Sequence, residues 1–294
     1  MTGMNGSFTI APRGAFELRE SVEFGFGQRH AEKYAGFMRL AFVVDGSDQH
    51  AGVVVRQDAD GVHGEVVGSG DLEAVRRQVE RVLSLDVDAT GFDELGRVDP
   101  VLGRLQQVAI GLRPPLFYSP YEAAVWSVLS ARRPAAQMAV IRDRFAQAHG
   151  RVFDLAGGQL AALPTPAELL AVREFPGITA EKLARMHEVA RAAQDGWLDV
   201  DRLRRLGPDV AAAELQRIKG IGPFYAGLVV IRAVGFTDVL PREEPKLREL
   251  VGRLYGLAGP VGGEELERIA QPWRPFRTWA AVMIRAAAAR VAPD

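Results

Sequence analysis

Leu215-Gln216-Arg217-Ile218-Lys219-Gly220-Ile221-Gly222-Pro223-Phe224-Tyr225-Ala226 is the stretch that decides the fold. Leu215 and Ile218 share one face of a helix that ends at Ile218. Pro223 opens a second helix, at the position where its fixed φ and missing N–H do least harm. The two glycines allow backbone conformations closed to other residues and let another backbone come close. Between them Ile221 is a single apolar plug. The first N–H groups of the second helix have no intrahelical partner and carry the positive end of its dipole, so a DNA phosphate is a natural ligand there. A Gly-x-Gly between helices is, taken alone, an ordinary helical corner. The full pattern, Leu-x-x-Ile-x-Gly-Ile-Gly-Pro followed by Ala226, is more specific, and Lys219 adds a local cation.

Around this hairpin the chain divides into two kinds of sequence. From Phe8 to about Asp86 it reads as β-α-β-β-β-α. Short runs such as Arg39–Asp45, Gly52–Gln57 and Val62–Val67 are rich in Val and are separated by Asp/Gly/Ser turns. Leu72, Val75, Val79, Val82 and Leu83 then fall on one helical face. The expectation is an antiparallel sheet covered on one face, with residues 1–7 loose. Residues 87–118, with Asp99-Pro100 and Pro114-Pro115, read as a connector. From Ser119 to Val291 nearly everything reads as helix. The fold class is therefore α+β: an N-terminal α+β domain over 8–86, then an all-α helix-hairpin-helix domain over 119–291.

Composition narrows the function. The chain has 294 residues and is nearly half apolar, which suffices for a sizeable core. It has no cysteine, which excludes disulfides, Cys-ligated zinc and iron–sulfur clusters. His30, His50, His63, His149 and His187 are scattered, without metal-ligand spacing, so no metal site is expected. No apolar run is long enough to span a bilayer and no signal pattern opens the chain, so the expectation is a soluble, cytoplasmic monomer with no membrane partner. With a formal net charge of −1, any surface that binds DNA must be local.

The residues from Leu215 through Asp238 and Pro241 to Glu244 resemble the helix-hairpin-helix DNA glycosylase superfamily, in particular its 3-methyladenine DNA glycosylase II group. Asp99-Pro100, Gly111-Leu112-Arg113 and Ser119-Pro120-Tyr121-Glu122 resemble that group's approach to its helical domain. Pro164–Leu169, Ala180-Glu181-Lys182 and Trp273–Ala280 resemble later parts of it. The resemblance covers roughly 99–290 well and 8–86 by layout only. It implies a protein that flips a damaged, alkylated base out of double-stranded DNA and cuts its bond to the sugar, for base excision repair. Such chemistry needs a grip on phosphates, a wedge for the gap, a stacking pocket, and a carboxylate near a sugar whose transition state resembles an oxocarbenium ion.

By the family's spacing the catalytic carboxylate is Glu244, where relatives carry aspartate. Glu244 precedes Pro245 and reads as the N-cap of a helix carrying Leu247, Leu250, Val251 and Leu254. Glutamate is not a favoured N-cap, whereas aspartate is. The plain alternative is that Glu243 and Glu244 are solvated charges at a helix start; Asp238 reads as structural. Residues expected at the DNA are Lys219, Gly220, Ile221, Gly222, Pro223 and Tyr225, with Arg132 of Ser130–Pro134 in the wedge position. Phe224, Trp126, Trp279 and Arg285 are the base-pocket candidates, Arg285 standing where the best-known relatives have a tryptophan. Bifunctional relatives place a Schiff-base lysine where this chain has Phe224, so no lyase step is expected. No cofactor is implied beyond a monovalent cation that family hairpins commonly hold with backbone carbonyls. The competing reading is a helix-hairpin-helix protein that binds damaged DNA without catalysis.

Overall fold

The structure, a computed structural model, describes residues 4–25 and 33–291, which leaves His30 outside the described residues. Strands β1 (Met4–Ile10), β2 (Met38–Val43), β3 (His50–Asp58) and β4 (Gly61–Gly68) form one antiparallel sheet in the order β1-β4-β3-β2. β1 starts within the stretch expected to be loose, because Met4 already pairs with Val67. Helices α1 (Leu18–Phe24) and α2 (Leu72–Val82) supply Leu18, Val75, Val79 and Val82 to a core shared with Leu40, Val53 and Val66. Asp71 caps α2, its carboxylate accepting from the Ala74 N–H at 2.9 Å.

Two helices follow, α3 (Thr90–Val98) and α4 (Pro100–Val108). They occupy the stretch expected to be a connector, and they are not peripheral. Asp99 caps α4 by accepting from the Val101 and Leu102 N–H groups at 2.9 and 3.2 Å, and it also accepts from Tyr255 Oη and Trp273 Nε1. Burial of Phe92, Leu102 and Leu105 in one cluster with Leu247, Trp273 and Ile284 makes these helices part of a core built mainly by the end of the chain.

Beyond them come α5 (Pro120–Ser130), α6 (Ala135–His149), a hairpin of β5 (Arg151–Leu155) and β6 (Gly158–Ala162), and α7 (Pro166–Ala171). Then follow α8 (Ala180–Gln194), α9 (Val200–Leu206), α10 (Pro208–Leu215), α11 (Pro223–Val229), α12 (Pro245–Leu254), α13 (Gly263–Ile269) and α14 (Arg277–Ala287). The recurring device is a polar cap followed by proline. Ser119 accepts from the Glu122 N–H, and Thr165 and Glu168 close a reciprocal capping box around Pro166. α5, α6, α8, α10 and α11 share one core, which includes Val128, Leu129, Phe145, Met186, Leu215 and Ala226.

The hairpin β5–β6 corrects two expectations. It inserts strands into the part read as helical, and it covers the second face of the sheet. Phe153 and Leu155 pack with Ala41 and Val54. Gly52 leaves them room, since a Cβ there would come within 2.8 Å of Phe153 Cγ. The sequence carried the sign: Leu40–Val44 and Ala51–Val55 are apolar or glycine at every position, and all are buried. Strands buried on both faces lose their alternation.

Candidate DNA-binding and base-excision site

α10 ends at Leu215 and two turns lead to Gly220, whose φ of +105° lies in the region that favours glycine. Leu215, Ile218, Ile221 and Ala226 are all buried, so the plug between the glycines anchors the hairpin to the helical core. Gly222 is different. Its backbone is extended (φ −88°, ψ 179°), open to any residue, and a Cβ added there would meet nothing within 4 Å. Nothing inside the protein demands glycine at Gly222, whereas a ligand approaching the backbone from outside would. No side chain caps α11, so its leading N–H groups have no side-chain partner among the described residues.

Cations gather beside the hairpin. A Cβ on Gly220 would lie 3.2 Å from Arg185 Cδ and 3.3 Å from Val128 Cγ2, which places α8 and α5 directly against it. Lys182, also on α8, donates from Nζ to the carbonyls of Leu129 and Ala131, bracing the loop between α5 and α6. Burial lowers the Lys182 pKa, and the nearby charges of Arg133 and Arg185 lower it further. Arg132 projects from this braced loop, exposed and with a φ of +57°, a conformation that costs a non-glycine residue free energy. Lys182 and Arg185 had no assigned role in the sequence. Ala180-Glu181-Lys182 was visible only as a motif, because the contact joins residues some fifty positions apart.

Glu244 stands where the chain crosses from one helical core to the other. Val234 and Phe236 belong to the first core, Leu240 and Leu247 to the second. Its side chain caps α12, Oε1 accepting from Lys246 N–H at 3.2 Å and Oε2 from Leu247 N–H at 2.6 Å. Glutamate thus does what was expected of aspartate, with Pro245 at the first helical position. Arg285 of α14 reaches the same carboxylate, Nε lying 3.6 Å from Oε2. Asp238 is structural: it binds Arg274 Nη1 at 2.9 Å and Arg277 Nε at 2.6 Å, tying the crossing segment to α14.

Among the aromatic candidates the structure separates surface from core. Phe224 is 71% exposed and meets Tyr225 edge to face at a centroid distance of 5.3 Å, an open stacking surface beside the hairpin. Trp126 is buried in the first helical core. Trp279 is buried in the second, between Phe92 and Phe276, with Arg113 over its ring. Both tryptophans are thus packed into cores, whereas Phe224 stands at the surface. A cavity of about 640 Å³ lies elsewhere, lined by residues such as Asp45, Arg81, Asp199 and Arg204, and includes none of the residues expected at the DNA or the base. Among the described residues no group of three or more His, Asp or Glu side chains could hold a metal ion, and no helix is long and apolar enough to cross a membrane.

Comparison with solved structures decides the fold. A 3-methyladenine DNA-glycosylase from Archaeoglobus fulgidus superposes with a TM-score of 0.75 over 95% of this chain and 96% of its own, at 20% identity. The fold is that of the helix-hairpin-helix DNA glycosylases. The Schizosaccharomyces pombe 3-methyladenine DNA glycosylase, solved with abasic DNA, matches 65% of this chain and 92% of its own with a TM-score of 0.51 at 22% identity. In sequence the chain is similar to a DNA-3-methyladenine glycosylase of Bacillus subtilis, 24% identical over 216 residues, 71% of this chain and 70% of that protein. No protein-family model matches.

Gly222→Asp is the direct test of the grip. Because a Cβ meets open space, the variant should fold and melt like the wild type. Its carboxylate should weaken binding to damaged and undamaged duplexes alike, by on the order of 10-fold or more through lost phosphate contact. Wild-type affinity should fall steeply as salt rises. Normal binding by the variant would remove the hairpin from the interface.

Proposed function

We propose that this chain is a monofunctional DNA glycosylase of the alkylpurine type, acting as a monomer on double-stranded DNA in base excision repair. The observation that carries the proposal is the placement of Glu244: a carboxylate fixed at a helix start, partly exposed, at the crossing between two cores of a helix-hairpin-helix glycosylase fold. In this reading the hairpin holds phosphate, Arg132 fills the space left by the flipped nucleotide, and Phe224 with Tyr225 offers a face on which a base stacks. Glu244 faces the sugar and stabilises the positive charge that grows on it as the base departs. Capping does not exhaust the carboxylate. Each oxygen has two lone-pair directions, and the two N–H groups occupy one on each.

Hydrolysis as proposed uses water and no resident cofactor. A monovalent cation enters only as support for the phosphate grip; the Ile218 carbonyl accepts from the Ile221 N–H at 3.0 Å and keeps a second lone pair for such an ion. Incubation with a duplex carrying one alkylated purine, followed by alkali, should yield a strand break at the lesion. Duplex binding without any break would instead favour a protein that binds damage and does not cut.

The absence of a lyase step has its own test. Phe224 occupies the place of a Schiff-base lysine, and Lys219 lies on the other side of the hairpin from α11. Borohydride added during turnover should trap little or no covalent protein–DNA adduct. An efficient adduct would show that another amine serves and that the enzyme is bifunctional.

A further inference from the structure

A site that stabilises a cationic sugar gains nothing from a second cation beside its carboxylate. Yet Arg285 lies there, Nε 3.6 Å from Glu244 Oε2, with 46% of its side chain exposed and 29% of that of Glu244. Among the described residues this is the ion pair Arg285 makes, and it engages Nε, while nearly half of the side chain is exposed to solvent beside Glu244. A guanidinium so close partly offsets the field of the carboxylate for every substrate alike. Retaining it makes physical sense if it returns something on the departing base.

We propose that Arg285 is a specificity-determining residue that turns the site toward neutral modified purines with hydrogen-bond acceptors, and away from cationic ones. This rests on the glycosylase reading. Rupture of the C1′–N9 bond sends the electron pair to the base. A cationic N-alkylpurine leaves neutral. A neutral purine leaves as an anion, which then takes a proton from water. In both cases water delivers hydroxide to C1′, and in the cationic case its remaining proton passes to solvent. Guanidinium has donors only. Beside a cationic base it repels; beside a neutral base it donates to a ring nitrogen or carbonyl oxygen on which negative charge grows, and this interaction strengthens in the transition state.

The probes are two duplexes, one carrying a single hypoxanthine, which is neutral, and one carrying a single 7-methylguanine, which is cationic. Single-turnover excision is measured for each and divided by that lesion's spontaneous loss. Arg285→Met keeps an apolar stem and removes the donors. It should slow hypoxanthine excision on the order of 10²- to 10³-fold, as expected for losing one charge-stabilising donor, and speed 7-methylguanine excision. Arg285→Lys keeps the charge without the fork, so it should retain the bias against 7-methylguanine and recover part of the hypoxanthine rate. An equal loss on both lesions would mean that Arg285 merely orients Glu244, and would overturn the proposal while leaving the glycosylase reading intact. A wild-type protein that binds both duplexes and excises neither lesion would overturn the glycosylase reading and this inference with it.

Discussion

Glu244→Gln is expected to slow excision by on the order of 10²- to 10³-fold while duplex affinity stays nearly unchanged, because the charge acts chiefly in the transition state. The amide can still accept the Leu247 N–H, so the helix start survives and the loss is chemical and not structural. Glu244→Asp probes geometry. Aspartate is the better cap, so the fold should hold. Its carboxylate would retreat from Arg285 by roughly 1 Å, which costs about 10²-fold where alignment matters. A faster aspartate variant would show that the pocket still fits a shorter acid. Glu243→Gln is the control, since the Glu243 side chain is 81% exposed and pairs with the neighbouring Arg242. Asp238→Asn is a poor one, because Asp238 holds two arginines at the base of α14. Wild-type rates for Glu244→Gln would end the catalytic assignment.

What the sequence made legible was whatever is encoded locally. The hairpin, the sheet strands and the proline-capped helix starts each follow from a few adjacent residues whose backbone needs are specific. Glu244 is placed by the spacing from the hairpin that the family resemblance implies, over a stretch that holds one helix and a short crossing. What stayed hidden depends on partners remote in sequence. Trp126 and Trp279 read as pocket candidates because tryptophan suits both a stacking wall and a core, and the packing that buries them, Trp279 against Phe92 and Phe276, comes from residues remote in sequence. Residues 87–118 looked like a connector because Pro100 and Pro114-Pro115 break the pattern, although Pro100 is in fact a helix start. The bracing of the Arg132 loop by Lys182 is likewise a tertiary fact. The weak alternation in β2 and β3 was present to be read, and it reported the hairpin that covers the sheet's second face.

Arg113→Met is expected to destabilise the whole chain by about 3–5 kcal/mol, the usual cost of emptying a buried, fully partnered charged site. Arg113 is 1% exposed, and burial pushes its guanidinium down to about 10. Nε donates to the Ala15 carbonyl at 2.9 Å, Nη1 to Ser84 and Val87 at 3.1 Å each, and Nη2 to Arg13 and Gly14 at 2.5 and 3.0 Å. Every N–H of the fork is used, and each carbonyl belongs to a segment that joins the sheet layer to the helices. The same guanidinium lies 5.9 Å from the ring of Trp279, which connects that junction to α14 and, through α14, to Arg285 and Glu244. Methionine fills a similar volume but leaves those carbonyls buried without a donor, and each such group costs about 1–3 kcal/mol. Thermal unfolding would show the loss as a drop of on the order of 10 °C. Arg113→Lys keeps the charge but only three donors and no fork, so it should fall between the two. Excision by the fraction of Arg113→Met that is folded at low temperature should match the wild type, since Arg113 touches neither Glu244 nor the hairpin among its described partners. A melting point equal to the wild type's would mean that water or backbone shifts satisfy those carbonyls. A selective loss of excision at unchanged stability would instead place Arg113 in the route that positions α14.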